Sequence, residues 1–183
     1  MAELLQGKRV AILVEKGFEQ VELTEPHTAL LDAGARVDVV SPAQGKVKAW
    51  RFTDWGDEVP VDVALEQADA EAYDALVLPG GVMNPDKLRT NPQALDFVRS
   101  FFDTSKPVAV ICHGAWTLID AGVVKGRTIT SYPSIATDLR NAGANWVDEE
   151  VVVDNGLVSS RNPDDLPAFV AKMVEEFAEG RHR

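Results

Sequence analysis

The amino-acid sequence predicts a doubly wound α/β sandwich: a mostly parallel sheet covered on both faces by helices, with an added β-hairpin. Three observations carry that prediction. Apolar runs rich in β-branched residues recur at Val10–Val14, Ala75–Leu78 and Val108–Ile111. They are continuous rather than alternating, as strands buried on both faces require. Segments of helical periodicity lie between them, so strands and helices alternate along the chain. Asn155-Gly156, a strong hairpin signal, separates Trp146–Asp154 from Leu157–Arg161.

The elements follow in order. Lys8–Val14 is the first strand and runs into the loop Glu15–Glu19. Gln20–Ala33 has helical apolar spacing at Val21, Leu23, Ala29, Leu30 and Ala33. Proline is least harmful in a first turn, so Pro26 places the expected helix start near Glu22 to Glu25. Gly34 ends that helix, and Arg36–Ser41 is the second strand. Lys46–Phe52 alternates polar and apolar residues, which suggests a half-exposed strand in a side flap. Val59–Val63 is its expected partner, held to an edge by Pro60. Trp50 and Trp55 are packing residues by habit, with the wall of a pocket or subunit interface as a second use. Asp74–Leu78 is again a buried strand and ends in the turn Pro79-Gly80-Gly81. Asn84–Leu88 starts a short helical turn, and Asn91-Pro92 caps a helix to about Asp103, with Leu95, Val98, Phe101 and Phe102 on its inner face. Pro107–Ile111 is the central strand, and Ala115–Ala121 a short helix stopped by Gly122. Arg127–Ser131 is a short strand and Ser134–Ala142 a helix closed by Gly143. After the hairpin, Asn162-Pro163 caps a last helix, Asp164–Glu179, and Arg181-His182-Arg183 is expected to fray.

A length of 183 residues suits a single domain over 1–183, and no repeat or linker divides it. Hydrophobic residues at 45% and charged residues at 26% are an ordinary soluble globular profile. The formal charge of −11 disfavours nucleic acid or an anionic membrane as partner. One cysteine excludes an internal disulfide and fits a reducing compartment. No signal peptide or membrane span is visible, so the expected location is cytoplasmic.

The chemistry gathers at Cys112-His113, where the central strand turns into the next helix. Open α/β sheets place their active sites at such junctions. A free cysteine is by habit a small buried hydrophobe. Here the adjoining His-Gly and the helix start argue for a nucleophile, because free helix N–H groups and the dipole favour a thiolate. His113 is the candidate base or acid, against a structural histidine bonded to backbone. Glu19, on the loop after the first strand, is the candidate carboxyl beside the sulfur. Desolvated and next to a thiolate, it would keep its proton, donate a hydrogen bond and favour oxidation to a sulfinic acid. Its plainer alternative is a solvated acid at a helix start. Gly80 or Gly81 could offer an N–H that forms an oxyanion hole with that of His113. There is no G-x-G-x-x-G, phosphate loop or H-E-x-x-H. Three histidines, at 27, 113 and 182, do not cluster with cysteine, so neither a cofactor nor a dedicated metal site is expected.

These residues resemble the PfpI family of intracellular cysteine peptidases and protein deglycases, within the class I glutamine amidotransferase-like superfamily. The resemblance rests on Gly17-Phe18-Glu19-Gln20-Val21-Glu22-Leu23, Asp74 to Gly81, Pro107 to Trp116, Thr130-Ser131-Tyr132-Pro133, and Val152-Asp154 through Ser159-Ser160-Arg161. It implies a flavodoxin-like sandwich, a nucleophile at Cys112, its partner His113 and a cysteine-contacting acid at Glu19. It also implies a triad acid supplied by a neighbouring subunit, best matched by Asp86 with one residue of extra spacing after Gly81. Aspartate is shorter than glutamate, and a helix-start role is its alternative. An intermolecular triad requires a homodimer or higher oligomer. The implied activity is a cofactor-independent stress-response hydrolase acting on dicarbonyls, glycated adducts or peptides. Dicarbonyl chemistry ranks ahead of proteolysis, because an amine leaving group must be protonated. The alternative is a redox-sensing or chaperone-like protein whose Cys112 is oxidised with little turnover.

Overall fold

The structure, a computed structural model, describes residues 3–182; Met1, Ala2 and, from the expected tail, Arg183 lie outside the described residues. In chain order the elements are β1 (Arg9–Leu13), β2 (Phe18–Glu19), α1 (Gln20–Asp32), β3 (Arg36–Ser41), β4 (Lys46–Arg51), β5 (Asp54–Pro60) and β6 (Val63–Ala64). They continue with β7 (Ala75–Leu78), α2 (Met83–Leu88), α3 (Pro92–Asp103), β8 (Val108–Ile111), α4 (Ala115–Ala121), β9 (Thr128–Ile129) and α5 (Ala136–Asn141). The last are β10 (Asn145–Trp146), β11 (Val152–Asp154), β12 (Leu157–Ser160) and α6 (Leu166–Glu179).

The apolar runs become a seven-stranded sheet in the order β11-β12-β8-β7-β1-β3-β6. Every neighbouring pair is parallel except β11 and β12. Alternate residues of each strand serve opposite faces. Val10 and Ile12 join Leu23 and Leu30 of α1 and Phe169, Met173 and Phe177 of α6 in one core layer. Ala11 and Leu13 join Phe97, Val98 and Phe101 of α3 and Leu118 of α4 in the other. The expected mostly parallel, doubly wound sheet between helices is therefore the observed architecture. The chain moves from β1 out to β3 and later returns to β7 on the other side of β1. Strand order reverses between β1 and β7, which is where such sheets open a crevice.

Local departures from expectation have physical causes. Helix α1 begins at Gln20 and carries Pro26 inside it. Pro26 is buried on the same stripe as Glu22, Leu23 and Leu30, so packing offsets the lost backbone bond. In the flap, β4 pairs with β5 across a tight turn at Phe52, whose φ is 58°, so the partner strand is Asp54–Pro60. Val63–Ala64 instead adds a short parallel edge to β3. Trp146 leaves the hairpin and pairs in parallel beside β9, while Asn155 and Gly156 take the positive φ values, 48° and 84°, that suit a type I′ turn. The inner stripe of α3 is Ala94, Phe97, Val98 and Phe101, with Leu95 and Phe102 half-buried. The tail does not fray at His182, whose N–H donates to the Ser105 carbonyl at 2.9 Å. Among the described residues, no helix is long and apolar enough to cross a membrane.

Candidate active site

The carboxyl ends of β1, β7 and β8 open on a cavity of about 500 Å³ lined in part by Glu22, Gly81, Cys112 and His113. Register brings the flap to it: Phe18 pairs with Ala49 and Glu19 with Trp50, which leaves Trp50 and Phe52 on the cavity wall. Trp50 thus has the second use considered for it. Trp55 packs edge-on against Trp50, ring centroids 5.3 Å apart.

Cys112 stands at the sharp end of β8 with φ 63°, a left-handed conformation that few non-glycine residues adopt. Such a backbone costs about 1–3 kcal/mol and persists only where its surroundings over-determine it. Here the Cys112 carbonyl accepts the Tyr132 N–H at 3.1 Å, and α4 follows directly. The side chain is buried, 7% exposed, and turned toward the cavity.

The acid against the sulfur is Glu22, and Glu19 does not fill that role. Glu19 ends β2, and its Oε2 accepts the Phe52 N–H at 2.9 Å, tying down the flap turn. Glu22 lies one helical turn later, on the inner face of α1, fully buried beside Cys112. Its Oε1 accepts the Gly80 N–H at 2.9 Å, while Oε2 is buried with no hydrogen-bond partner. Burial lifts the Glu22 carboxyl from an ordinary 4.5 to about 8, so it keeps its proton at neutral pH. The signal for Glu22 was present in the sequence: an acid at helical spacing from Leu23, Pro26 and Leu30, on a face that had to be buried.

Burial also pushes the Cys112 thiol up, and a charged Glu22 would push it further. The N–H groups of Gly81 and His113 act in the opposite direction. The turn alone therefore does not create an easily ionised thiol, contrary to the sequence-based expectation. The site has room for one negative charge shared between two acids, and not for two.

The glycine turn is built to these contacts. A Cβ on Gly80 would lie 2.6 Å from Cβ of Cys112 and 2.8 Å from Oε1 of Glu22. Because the Gly80 N–H is occupied by Glu22, the expected oxyanion hole reduces to the N–H groups of Gly81 and His113. Gly81 has φ 75°, and a Cβ there would meet the Gly17 carbonyl at 2.5 Å. Asn84, fully buried, donates to the carbonyls of Pro79 and Gly80 at 3.0 Å each and accepts the Glu15 N–H at 2.7 Å. It joins the turns after β1 and β7, a role that sequence reasoning missed.

His113 lies with Nδ1 3.2 Å from the Cys112 sulfur and Nε2 3.4 Å from the Ser134 hydroxyl. Its ring stacks on Tyr132 at 4.6 Å and meets Trp116 edge-on at 5.1 Å. Burial pushes the imidazole below its ordinary 6.5, so it is neutral at neutral pH. Asp86 is exposed on α2 and does not line the cavity. Within this chain, the second contact of His113 is Ser134 and not an acid.

With the geometry in place, comparison with known proteins assigns the chain to a family. It is 44% identical over 163 residues to YraA of Bacillus subtilis, provisionally named a cysteine protease, covering 89% of this chain and 94% of that one. It is 46% identical over 167 residues to the deglycase PYRAB04690 of Pyrococcus abyssi, covering 91% and 98%. The crystal structure of Drosophila melanogaster DJ-1beta superposes with a TM-score of 0.85 at 29% identity, covering 97% of this chain and 91% of that one. A profile of the DJ-1/PfpI family matches residues 8–176, and the chain belongs to that family.

Proposed function

We propose that the protein is a cofactor-independent enzyme whose Cys112 attacks the carbonyl of dicarbonyl compounds or of their adducts on proteins. The observation that carries this reading is the position of Cys112: a strained, left-handed residue at the mouth of a cavity, between the protonated Glu22 and the neutral His113. A thiolate there meets the N–H groups of Gly81 and His113 and a proton donor in Glu22. In the reactive form the single negative charge resides on sulfur, and Glu22 keeps its proton as a hydrogen bond to it. When Nε2 of His113 accepts from Ser134, its proton sits on Nδ1 and also points at the sulfur.

Attack forms the sulfur–carbon bond and moves the carbonyl electron pair onto oxygen. The N–H groups of Gly81 and His113 are the donors within reach of that oxygen. The relative named a deglycase supports glycated adducts as the substrate class. Peptide hydrolysis ranks second, because its amine leaving group needs a proton and His113 has Ser134 rather than an acid beside it. In an oligomer, Asp86 is the candidate acid for His113 of a second copy. A cytoplasmic role under carbonyl or oxidative stress is part of the same proposal.

The test is turnover of methylglyoxal and of a methylglyoxal-modified peptide by wild type and Cys112→Ser. The expected loss in the serine variant is about a thousand-fold or more. Undiminished turnover by Cys112→Ser would overturn the nucleophile. Absent turnover in the wild type, with a stable Cys112 oxyacid after mild peroxide, would favour the redox sensor.

A further inference from the structure

We propose that Glu176, Glu179 and His182 form a binding site for a divalent transition metal of the zinc type, at the far end of α6 from the chain's cysteine. The residues follow a Glu-x-x-Glu-x-x-His spacing. Glu176 and Glu179 lie one turn apart on α6. Gly180, with φ 84°, then reverses the backbone and brings His182 back over them. The histidine is held there by independent contacts. Its N–H donates to the Ser105 carbonyl at 2.9 Å, and its ring rests on Gly156, where a Cβ would come within 3.0 Å of Cδ2.

The ligand atoms converge on one another. Nε2 of His182 is 3.0 Å from Oε2 of Glu176 and 3.6 Å from Oε2 of Glu179. The three donor atoms all lie within 4.8 Å of one another. Glu176 is 7% exposed, and both its Oε2 and Nε2 of His182 are buried without a hydrogen-bond partner. They are close to each other, yet not aligned for a hydrogen bond. Donors bound about 2.0–2.2 Å from one zinc ion stand about 2.9–3.6 Å apart across its coordination shell, the spacing seen from Nε2 of His182 to each carboxylate. One imidazole nitrogen and two carboxylate oxygens suit zinc better than calcium, which takes six to eight oxygens. Glu179, with 55% of its side chain exposed, leaves a side open for ion access and for water to complete the shell. Such an ion would fasten the chain after α6 back onto the last turn of that helix. The expectation of no metal site considered histidine with cysteine, and this cluster pairs histidine with carboxylates.

Calorimetric titration of the full chain with Zn²⁺ tests the proposal, carried out in wild type and in Cys112→Ser so that the thiol cannot account for uptake. The expected result is about one ion per chain, retained in Cys112→Ser. The affinity should fall about ten-fold or more in His182→Ala and in Glu179→Gln. Glu179 is exposed, so its variant keeps the test valid if the His182 substitution loosens the tail. The ring resonances of His182 should shift on Zn²⁺ addition in Cys112→Ser. Absence of saturable binding, or equal affinity in both ligand variants, would overturn the site and leave His182 as a simple ion-pair partner of Glu176.

Discussion

The buried carboxyl of Glu22 makes a quantitative prediction about stability. Its proton is held to about pH 8 in the folded chain, while an ordinary glutamate releases it near 4.5. Stability from this preference is fully present below pH 4.5 and is lost as pH rises toward 8. The loss is about 1.4 kcal/mol per pH unit, so about 3 kcal/mol accumulates between pH 4.5 and 7. The clean background is Cys112→Ser, which leaves Glu22 without an ionisable neighbour at the sulfur position. There, adding Glu22→Gln removes the titrating group but keeps a neutral side chain of the same shape. Urea unfolding across this pH range should show the glutamine variant gaining on its parent by about 3 kcal/mol by pH 7. With Cys112 present as a thiolate the profile of the wild type itself should flatten, because the thiolate gives up one proton while Glu22 retains one. Parallel pH profiles in the serine background would refute the claim that Glu22 is folded in its neutral form.

Other predictions concern the frame around the sulfur. Asn84→Ala removes one acceptor and two donors from buried backbone groups, and should lower unfolding stability by about 2–4 kcal/mol in urea titrations. Gly81→Ala forces a side chain into φ 75° against two backbone atoms; a loss of at least about 2 kcal/mol and of turnover is expected, read by denaturation and assay. His113→Ala should lower turnover about 10²–10⁴-fold. In the wild type, any acid limb of the pH–rate profile that belongs to His113 should fall below pH 6.5, because only below that value does the buried ring take up a proton.

The fold was legible because burial and pattern agree. Continuous apolar strands such as Val108–Ile111 sit in the middle of the sheet, where both faces must be apolar. Asn91-Pro92 marked a helix start because its chemistry is local: the Asn91 side chain accepts the N–H groups of Gln93 and Ala94. Partners set by tertiary contact were less legible. Val63–Ala64 pairs with β3 and Trp146 with β9, and nothing in their immediate neighbours specifies either choice.

The same distinction holds at the site. Cys112, His113 and Gly81 were visible because a strand–turn–helix junction announces them. The choice between Glu19 and Glu22 depended on where α1 begins. A proline rule that treats Pro26 as a first-turn residue discards the first turn of α1, and with it the inward direction of Glu22. Asn84 was hidden for another reason. Its value lies in three backbone partners contributed by two separate loops, Glu15 and Pro79-Gly80, which meet only after the sheet has formed.

The central claim, that one negative charge rests on Cys112 while Glu22 keeps its proton, is tested most directly by thiolate ultraviolet absorbance. The signal of the wild type minus that of Cys112→Ser is followed from acid to alkaline pH. A thiolate that forms at higher pH in Glu22→Ala than in the parent is the predicted result. A thiol whose ionisation is indifferent to Glu22→Ala, or easier in that variant, would contradict it.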